Sequence, residues 1–278
     1  MPNMNNKVIL TVASTGSSTT RAQAPNLPMT PKEIAEDAYE CWKAGASVLH
    51  LHVRDDQGKA CMSYEKFKEA IERIRDKCDI VINMTTAGGF GVSNEDRIKP
   101  LDLLPDMATL DMGSMNVAGD FVFHNSLQFL EDGARRMQEL HIKPELEVMD
   151  LSMIYTALRF IEKGYIDGPA HFQFVLGMHN GMPATVDNLV LMKNLLPEDA
   201  SWSAFGIGGR GHLPILLGTL ALGGNIRVGF EDNIYLDAGV KAQKNVDFVE
   251  RSRKFIELSN RAIATPAEVR EHFHLRSY

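Results

Sequence analysis

The sequence predicts an α/β protein: a single-domain (β/α)8 TIM barrel over residues 1–278, with a short C-terminal helical extension. Three observations predict it. Strand-like and helix-like segments alternate along the whole chain. The strands recur every roughly 25–40 residues, the spacing of βαβ units. No low-complexity linker divides the 278 residues, a length near the about 250 typical of such barrels.

The first strand is "KVILTVAST" (residues 7–15). The helix "TPKEIAEDAYECWKAGA" follows, with Thr30 as its cap, Pro31 in its first turn and Gly45 as its stop. Strand 2, "SVLHLHV" (47–53), precedes the helical "SYEKFKEAIERIRDKC". The remaining strands are "DIVINMTT" (79–86), "MATLDMG" (107–113), "PELEVMD" (144–150), "AHFQFVLGM" (170–178), "SWSAFGIG" (201–208) and "NIRVGFED" (225–232). The helix "NVDFVERSRKFIELSNRAI" and the tail "TPAEVREHF" close the chain.

Composition narrows the function. A content of 44% hydrophobic and 23% charged residues is that of a globular protein, and a formal charge of -7 disfavours nucleic acid or an anionic membrane as partner. A small anionic substrate stays compatible, because a few local cations override the global sign. Cys41, Cys61 and Cys78 show neither metal nor disulfide spacing and read as free thiols of a reducing cytosol. The start "MPNMNNKVIL" lacks signal-peptide character, and no apolar run approaches the about 18 residues of a membrane span. A cytoplasmic enzyme is expected, as a homo-oligomer.

Strand side chains alternate between faces. Leu49, Leu51 and Val53 oppose His50, His52 and Arg54; Ala108, Leu110 and Met112 oppose Thr109, Asp111 and Gly113. Leu146 and Val148 oppose Glu145 and Glu147; Phe172, Phe174 and Leu176 oppose His171 and Gln173. Ile226, Val228 and Phe230 oppose Arg227, Gly229 and Glu231. The apolar sets belong under the helices, which turns the polar sets inward. Barrel interiors are ordinarily layered with branched aliphatics, so this many inward ionisable groups call for a site to compensate them.

His50 and His52 lie near the carboxyl end of strand 2. Strand 8, two places away around a closed barrel, ends with inward Glu231. An isolated H-x-H also fits a core hydrogen-bond network. With the register and Glu231 added, the set matches a common catalytic zinc arrangement of two imidazoles, one carboxylate and an open position. Its net charge of about +1 suits an anionic oxygen such as that of an enolate or a chelating β-keto carboxylate. Arg227 points the same way and is suited to bind a carboxylate or the developing enolate. Asp232 is a candidate general base, but strict alternation puts it on the outer face unless the strand ends or bends at Glu231. Arg210, in "FGIGGRGHLP", reads either as a phosphate contact at a helix N-terminus or as a solvated turn residue. The loop "LGMHNGMPAT" is placed to cover the site, with His179 exposed on it.

"TRAQAPNLPMTP", "HLHVRDDQG", "HFQFVLG", "GIGGRGHLP", "RVGFEDNIY" and "ATPAEVRE", in this order from about Lys7 to about Phe273, together resemble the β-keto acid cleavage enzymes. The resemblance implies a zinc-dependent barrel that condenses a β-keto acid with acetyl-CoA to give acetoacetate and the CoA ester of the remaining acyl group. It implies His50, His52 and Glu231 as zinc ligands and Arg227 and Asp232 as catalytic residues, with Asp232 removing the α-proton. Thr85, Thr109 and Glu147 fall where the family has further active-site groups. Ser18 departs from the aminohexanoate-cleaving member, which has a glutamate there for the substrate ammonium; the reaction carries over and that substrate does not. The rival readings are a metal-dependent hydrolase or an aldolase-type lyase on the same fold, and a non-catalytic barrel with structural zinc.

Overall fold

The computed structural model describes residues 4–89, 91–118 and 121–276. Eight parallel strands close a barrel in chain order: β1 (Leu10–Ala13), β2 (Val48–Leu51), β3 (Val81–Met84), β4 (Met107–Asp111), β5 (Lys143–Val148), β6 (His171–Leu176), β7 (Ser201–Gly206) and β8 (Asn225–Val228). Closure runs through β8 and β1, where Arg227 lies opposite Thr11. The helices on the outside are α1 (Pro31–Ala44), α2 (Tyr64–Arg75), the short α3 (Asn94–Ile98), α4 (Leu127–Glu139), α5 (Leu151–Glu162), α6 (Val186–Lys193), α7 (Gly209–Ala221) and α8 (Asn245–Leu258). None among the described residues is long and apolar enough to cross a membrane.

Helix ends follow their sequence signals. Thr30 caps α1 through Glu33 N–H while the Glu33 carboxylate accepts from Thr30 N–H, and Gly45 stops the helix at φ 116°. Within the barrel strands the alternating faces are also as read; Arg54, which lies beyond β2, is the exception. Leu10, Leu49, Ile82, Leu110, Leu146, Phe174 and Ile226 join one continuous core beneath the helices.

The strands are shorter than the sequence patterns suggest, and each difference positions something. Lys7–Val8 leaves the barrel to pair with Ala262–Ile263. Val53–Arg54 forms a hairpin with Ala60–Cys61, which takes Arg54 out of the interior. There its guanidinium donates to the carbonyls of Thr15, Gly16, Thr19 and Gly58 and ties down the loop after β1. Strand β8 stops at Val228, not at residue 232.

The C-terminal tail forms α9 (Pro266–Phe273), held at its start by a Thr265–Glu268 capping box. It plugs the barrel floor. Ile9, Val48, Val81 and Met107, the lowest inward positions, form a small separate core with Val269 and Phe273. Above this apolar floor the interior becomes polar but mostly paired. Asn83 Nδ2 donates to Glu145 Oε1 at 2.7 Å, His171 Nε2 lies 3.4 Å from Glu145 Oε2, and the Ser203 hydroxyl donates to Gln173 Oε1 at 2.6 Å.

Candidate active site

The carboxyl-end mouth of the barrel opens into a cavity of about 210 Å³. On one side the two histidines converge. His50 Nε2 and His52 Nε2 are 3.1 Å apart, and Glu231 Oε1 lies 3.4 Å from the first and 3.5 Å from the second. Burial pushes the His52 imidazole down to about 3, so it is neutral with a free lone pair. Burial opposes ionisation of Glu231, but His52, His50 and Arg227 more than offset it and hold the carboxyl well below its usual range.

This triangle fits a metal ion. A tetrahedral zinc with bonds of about 2.0–2.1 Å holds its ligand atoms about 3.3 Å apart, and the three donor atoms already stand at that spacing. Glu231 Oε2 is buried with no hydrogen-bond partner among the described residues, an acceptor a cation would satisfy. Gly16 makes the approach possible: at φ +62° it passes so close that a Cβ there would sit 2.5 Å from Glu231 Cγ.

Arg227 is the hub of the site, buried with its guanidinium 4.3 Å from the centre of the Phe205 ring. Its Nε and Nη2 donate to the two carboxylate oxygens of Asp232 at 3.0 and 2.9 Å. Nη2 also donates to Glu231 at 2.7 Å, and Nη1 donates to Glu147 at 2.9 Å. Four of its five N–H hydrogens are thus engaged by three carboxylates. Burial works against its charge, yet these carboxylates hold it well above the ordinary arginine range.

Asp232 reaches this hub because the chain turns. Gly229 adopts φ 141°, and its carbonyl accepts from both Asp232 N–H and Asn233 N–H at 3.1 Å. A Cβ at Gly229 would lie 2.2 Å from the Ala13 carbonyl oxygen, so β8 can close on β1 only with glycine here. Alternation therefore ends before residue 231, and Glu231 and Asp232 both point inward. Burial lifts the Asp232 carboxyl to about 6, against the pull of Arg227.

Glu147 lies opposite Asp111 in the β4–β5 register, and both face the cavity. Burial, with Asp111 beside it, pushes Glu147 well above the usual carboxylate range; burial raises Asp111 as well. Two buried carboxyls this close favour holding one proton between them.

Of the other sequence-predicted residues, Thr85 lines the cavity, its Oγ1 accepting from Ala87 N–H. Ser18 stands exposed on the rim beside Ser17. Two expectations change. Thr109 is fully buried beneath the cavity, where its hydroxyl accepts from Thr86 N–H and its carbonyl from the Thr86 hydroxyl; it shapes the β3 loop. Arg210 falls within α7, which begins at Gly209, and its side chain is exposed outside the cavity lining. His179 is exposed, as expected, and Met178 of the same loop lines the cavity.

Sequence reasoning missed a hairpin of Met115–Ala118 and Phe121–Phe123, which contributes Val117, Phe121 and Phe123 to the lining. It also gave no role to Asp111, although alternation had already turned that residue inward. The charge opposite Asp111 comes from Arg97, buried and held by Thr86 O, His124 O and Asn125 Oδ1. Nothing local in the sequence marks that pairing.

Ionisable groups gathered at the carboxyl-end mouth of a parallel barrel define a (β/α)8-barrel enzyme, since this is the end at which such barrels carry their chemistry. The chain belongs to the beta-keto acid cleavage enzyme family, whose sequence profile matches residues 7–275. It is 40% identical over 274 residues to the 3-keto-5-aminohexanoate cleavage enzyme of Fusobacterium nucleatum, covering 98% of this chain and 100% of that protein. It is 37% identical to the 3-oxoadipate:acetyl-CoA acetyltransferase of Cupriavidus necator, over 96% of this chain and 94% of that one. Among solved structures, apo ObcA superposes with a TM-score of 0.82 at 19% identity, over 90% of this chain and 66% of that chain, and so shares the fold. The family resemblance carried by the motifs is borne out.

Proposed function

We propose that this chain is a zinc-dependent β-keto acid:acetyl-CoA acyltransferase, which converts a β-keto acid and acetyl-CoA into acetoacetate and an acyl-CoA. The observation that carries the reading is the His50–His52–Glu231 triangle standing beside Asp232 on its arginine hub. His50, His52 and Glu231 would hold the ion. When bound, zinc supplies Lewis acidity toward the keto and carboxylate oxygens of the substrate. The names of the relatives, with acetyl-CoA as co-substrate, support the reaction type.

The chain's own groups supply the rest. Asp232 takes the α-proton; burial works against its charge and so favours the protonated carboxyl that the transfer forms. Arg227 orients both Asp232 oxygens, and its fixed positive charge beside them offsets the negative charge that passes from Asp232 to the substrate enolate. The substrate α-carbon forms a bond to the acetyl carbonyl carbon, and the CoA thiolate leaves. The thiolate then adds to the original ketone carbon. The bond between that carbon and the α-carbon breaks, giving the acyl-CoA and acetoacetate, whose α-carbon regains a proton from Asp232. Thr85 and Ser18 belong to the substrate side of the cavity.

The test is direct. The purified protein is assayed for bound metal and for acetoacetate formed from β-keto acids with acetyl-CoA. Acetoacetate that requires acetyl-CoA, and that is lost together with metal in His50→Ala, is the expected result. Bound zinc with no acetoacetate from a broad panel would overturn the reading in favour of a hydrolase, and turnover without acetyl-CoA would favour a lyase.

A further inference from the structure

Strand β8 ends at Val228, yet the carboxylate that meets the histidines sits beyond it, at Glu231. To β1 this segment keeps a bond from Glu231 N–H to the Ala13 carbonyl at 3.2 Å. Glu231 Oε1 nevertheless stands 3.4 and 3.5 Å from the two imidazoles. Something besides the sheet has to aim it. Phe230, the residue before it, is held on both sides by side chains from distant parts of the chain. Its N–H donates to Asn245 Oδ1 at 2.8 Å, and its carbonyl accepts from the Thr19 hydroxyl at 2.8 Å. Asn245 is the first residue of α8 and is fully buried. Its amide nitrogen donates to the Ser14 carbonyl at 3.0 Å and to Asp37 Oδ2 of α1 at 2.9 Å. Both of its N–H hydrogens and its oxygen are thus engaged, each on a different element. Thr19 is fixed in turn, its carbonyl accepting from Arg54 Nη2 at 3.1 Å.

We propose that Asn245 and Thr19 are positioning residues for Glu231: by fixing the peptide groups on both sides of Phe230, they set where the carboxylate meets His50 and His52. The proposal rests on the zinc reading above. Neither residue lines the cavity, so each acts through the backbone and not on substrate. A carboxylate ligand displaced along its strand end would leave the triangle that the two imidazoles complete, and groups that orient a ligand from behind govern metal affinity for that reason. A clamp of the same kind stands at the opposite end of β8 and offers a comparison. Asn225, also buried, accepts from Ile9 N–H at 2.8 Å and donates to the Trp202 carbonyl at 3.1 Å. It ties the start of the strand to its neighbours and holds nothing near the histidines. Both asparagines stabilise the barrel; only Asn245 is placed to aim a ligand.

The test separates metal affinity from stability. Zinc dissociation constants of the full chain and its variants are measured by competition with a chelating dye, and urea unfolding of the metal-free forms reads stability. Asn245→Ala is expected to weaken zinc binding by about 10–100-fold and Asn225→Ala by less than about threefold, although both lower stability. Thr19→Val removes only the hydroxyl that holds the Phe230 carbonyl. It is expected to weaken zinc by about 3–10-fold, and it carries the same test if Asn245→Ala does not fold. Combining Asn245→Asp with Asp37→Asn keeps an acceptor for Phe230 N–H and a bond to α1, and should recover most of the lost affinity. Equal losses of affinity in Asn245→Ala and Asn225→Ala overturn the proposal, as does a zinc affinity unmoved by Asn245→Ala or Thr19→Val. A folded exchange variant that recovers stability without affinity overturns it too. A wild-type chain that binds no zinc, or a His50→Ala variant that binds it equally well, is the distinct result that removes the metal reading itself.

Discussion

At the floor of the barrel the inward side chains are Ile9, Val48, Val81 and Met107, sealed by Val269 and Phe273 of α9. At the mouth, the inward positions of β2, β4, β5 and the segment after β8 are His50, Asp111, Glu147 and Glu231. One alternation builds both ends, with opposite outcomes. The floor satisfies its groups by excluding water and polar atoms together. The middle satisfies most of them in pairs, such as Asn83 Nδ2 with Glu145 and Ser203 with Gln173, leaving Asn83 Oδ1 without a partner among the described residues. The mouth leaves Glu231 Oε2, Asp111 Oδ2 and His50 Nδ1 buried without partners among the described residues. A barrel can carry such unspent polarity only because the rest of its interior is closed, and the unspent end is where a ligand has something to gain.

This contrast can be broken at the mouth without touching the floor. Asp232→Asn keeps the shape and a hydrogen-bonding group against Arg227 but removes the base. Its kcat should fall by about 10²–10⁴-fold while bound metal and melting temperature stay near wild type; full turnover would remove Asp232 from the mechanism. The converse variant is Phe273→Ala. Phe273 is buried in the floor cluster with its ring 5.0 Å from that of His171. Its loss should cost about 3–5 kcal/mol of stability, read by chemical denaturation, while kcat per folded molecule changes little. A large kcat loss with stability intact would mean that the floor reaches the chemistry.

The smallest expected effect sharpens the same comparison. In chelator-treated protein the Asp232 carboxyl should titrate near 6, ionised above and protonated below, because burial disfavours its charge. Zinc reloading adds positive charge beside it and so favours the carboxylate, which should lower that value by about 1 unit or more. Carbon-13 NMR of the carboxyl reads both states; a value unmoved by zinc would place the ion elsewhere.

Much of the site was legible in the chain. The H-x-H pair and the inward Glu147 follow from a period of two, which depends only on near neighbours in sequence; Glu231 points inward as that rule expects, but through the turn at Gly229 and not through strand alternation. The same rule misplaced Asp232, because it ran the strand through residue 232. The correction lies in Gly229, whose left-handed backbone both ends β8 and admits the Ala13 carbonyl. Motif position put Thr109 among the active-site groups, yet it shapes a loop from below; of the two readings open for Arg210, phosphate contact or solvated residue, the exposed side chain matches the second. The apolar wall of Val117, Phe121 and Phe123 comes from a hairpin whose short strands carry too weak a pattern to be read.

The sequence by itself determined the eight-fold alternation of strand and helix, the caps that start and stop the helices, and which face of each strand is polar. These are local properties, set by side-chain periodicity and backbone preference within a few residues. Only the tertiary structure decided that Arg227 would gather Glu147, 80 positions away, together with Glu231 and Asp232. It also decided that α9 would seal one end and leave the other open. Those outcomes depend on barrel closure and on the register between β8 and β1, and charge pairing in a buried space is set by which distant groups that closure brings within about 3 Å.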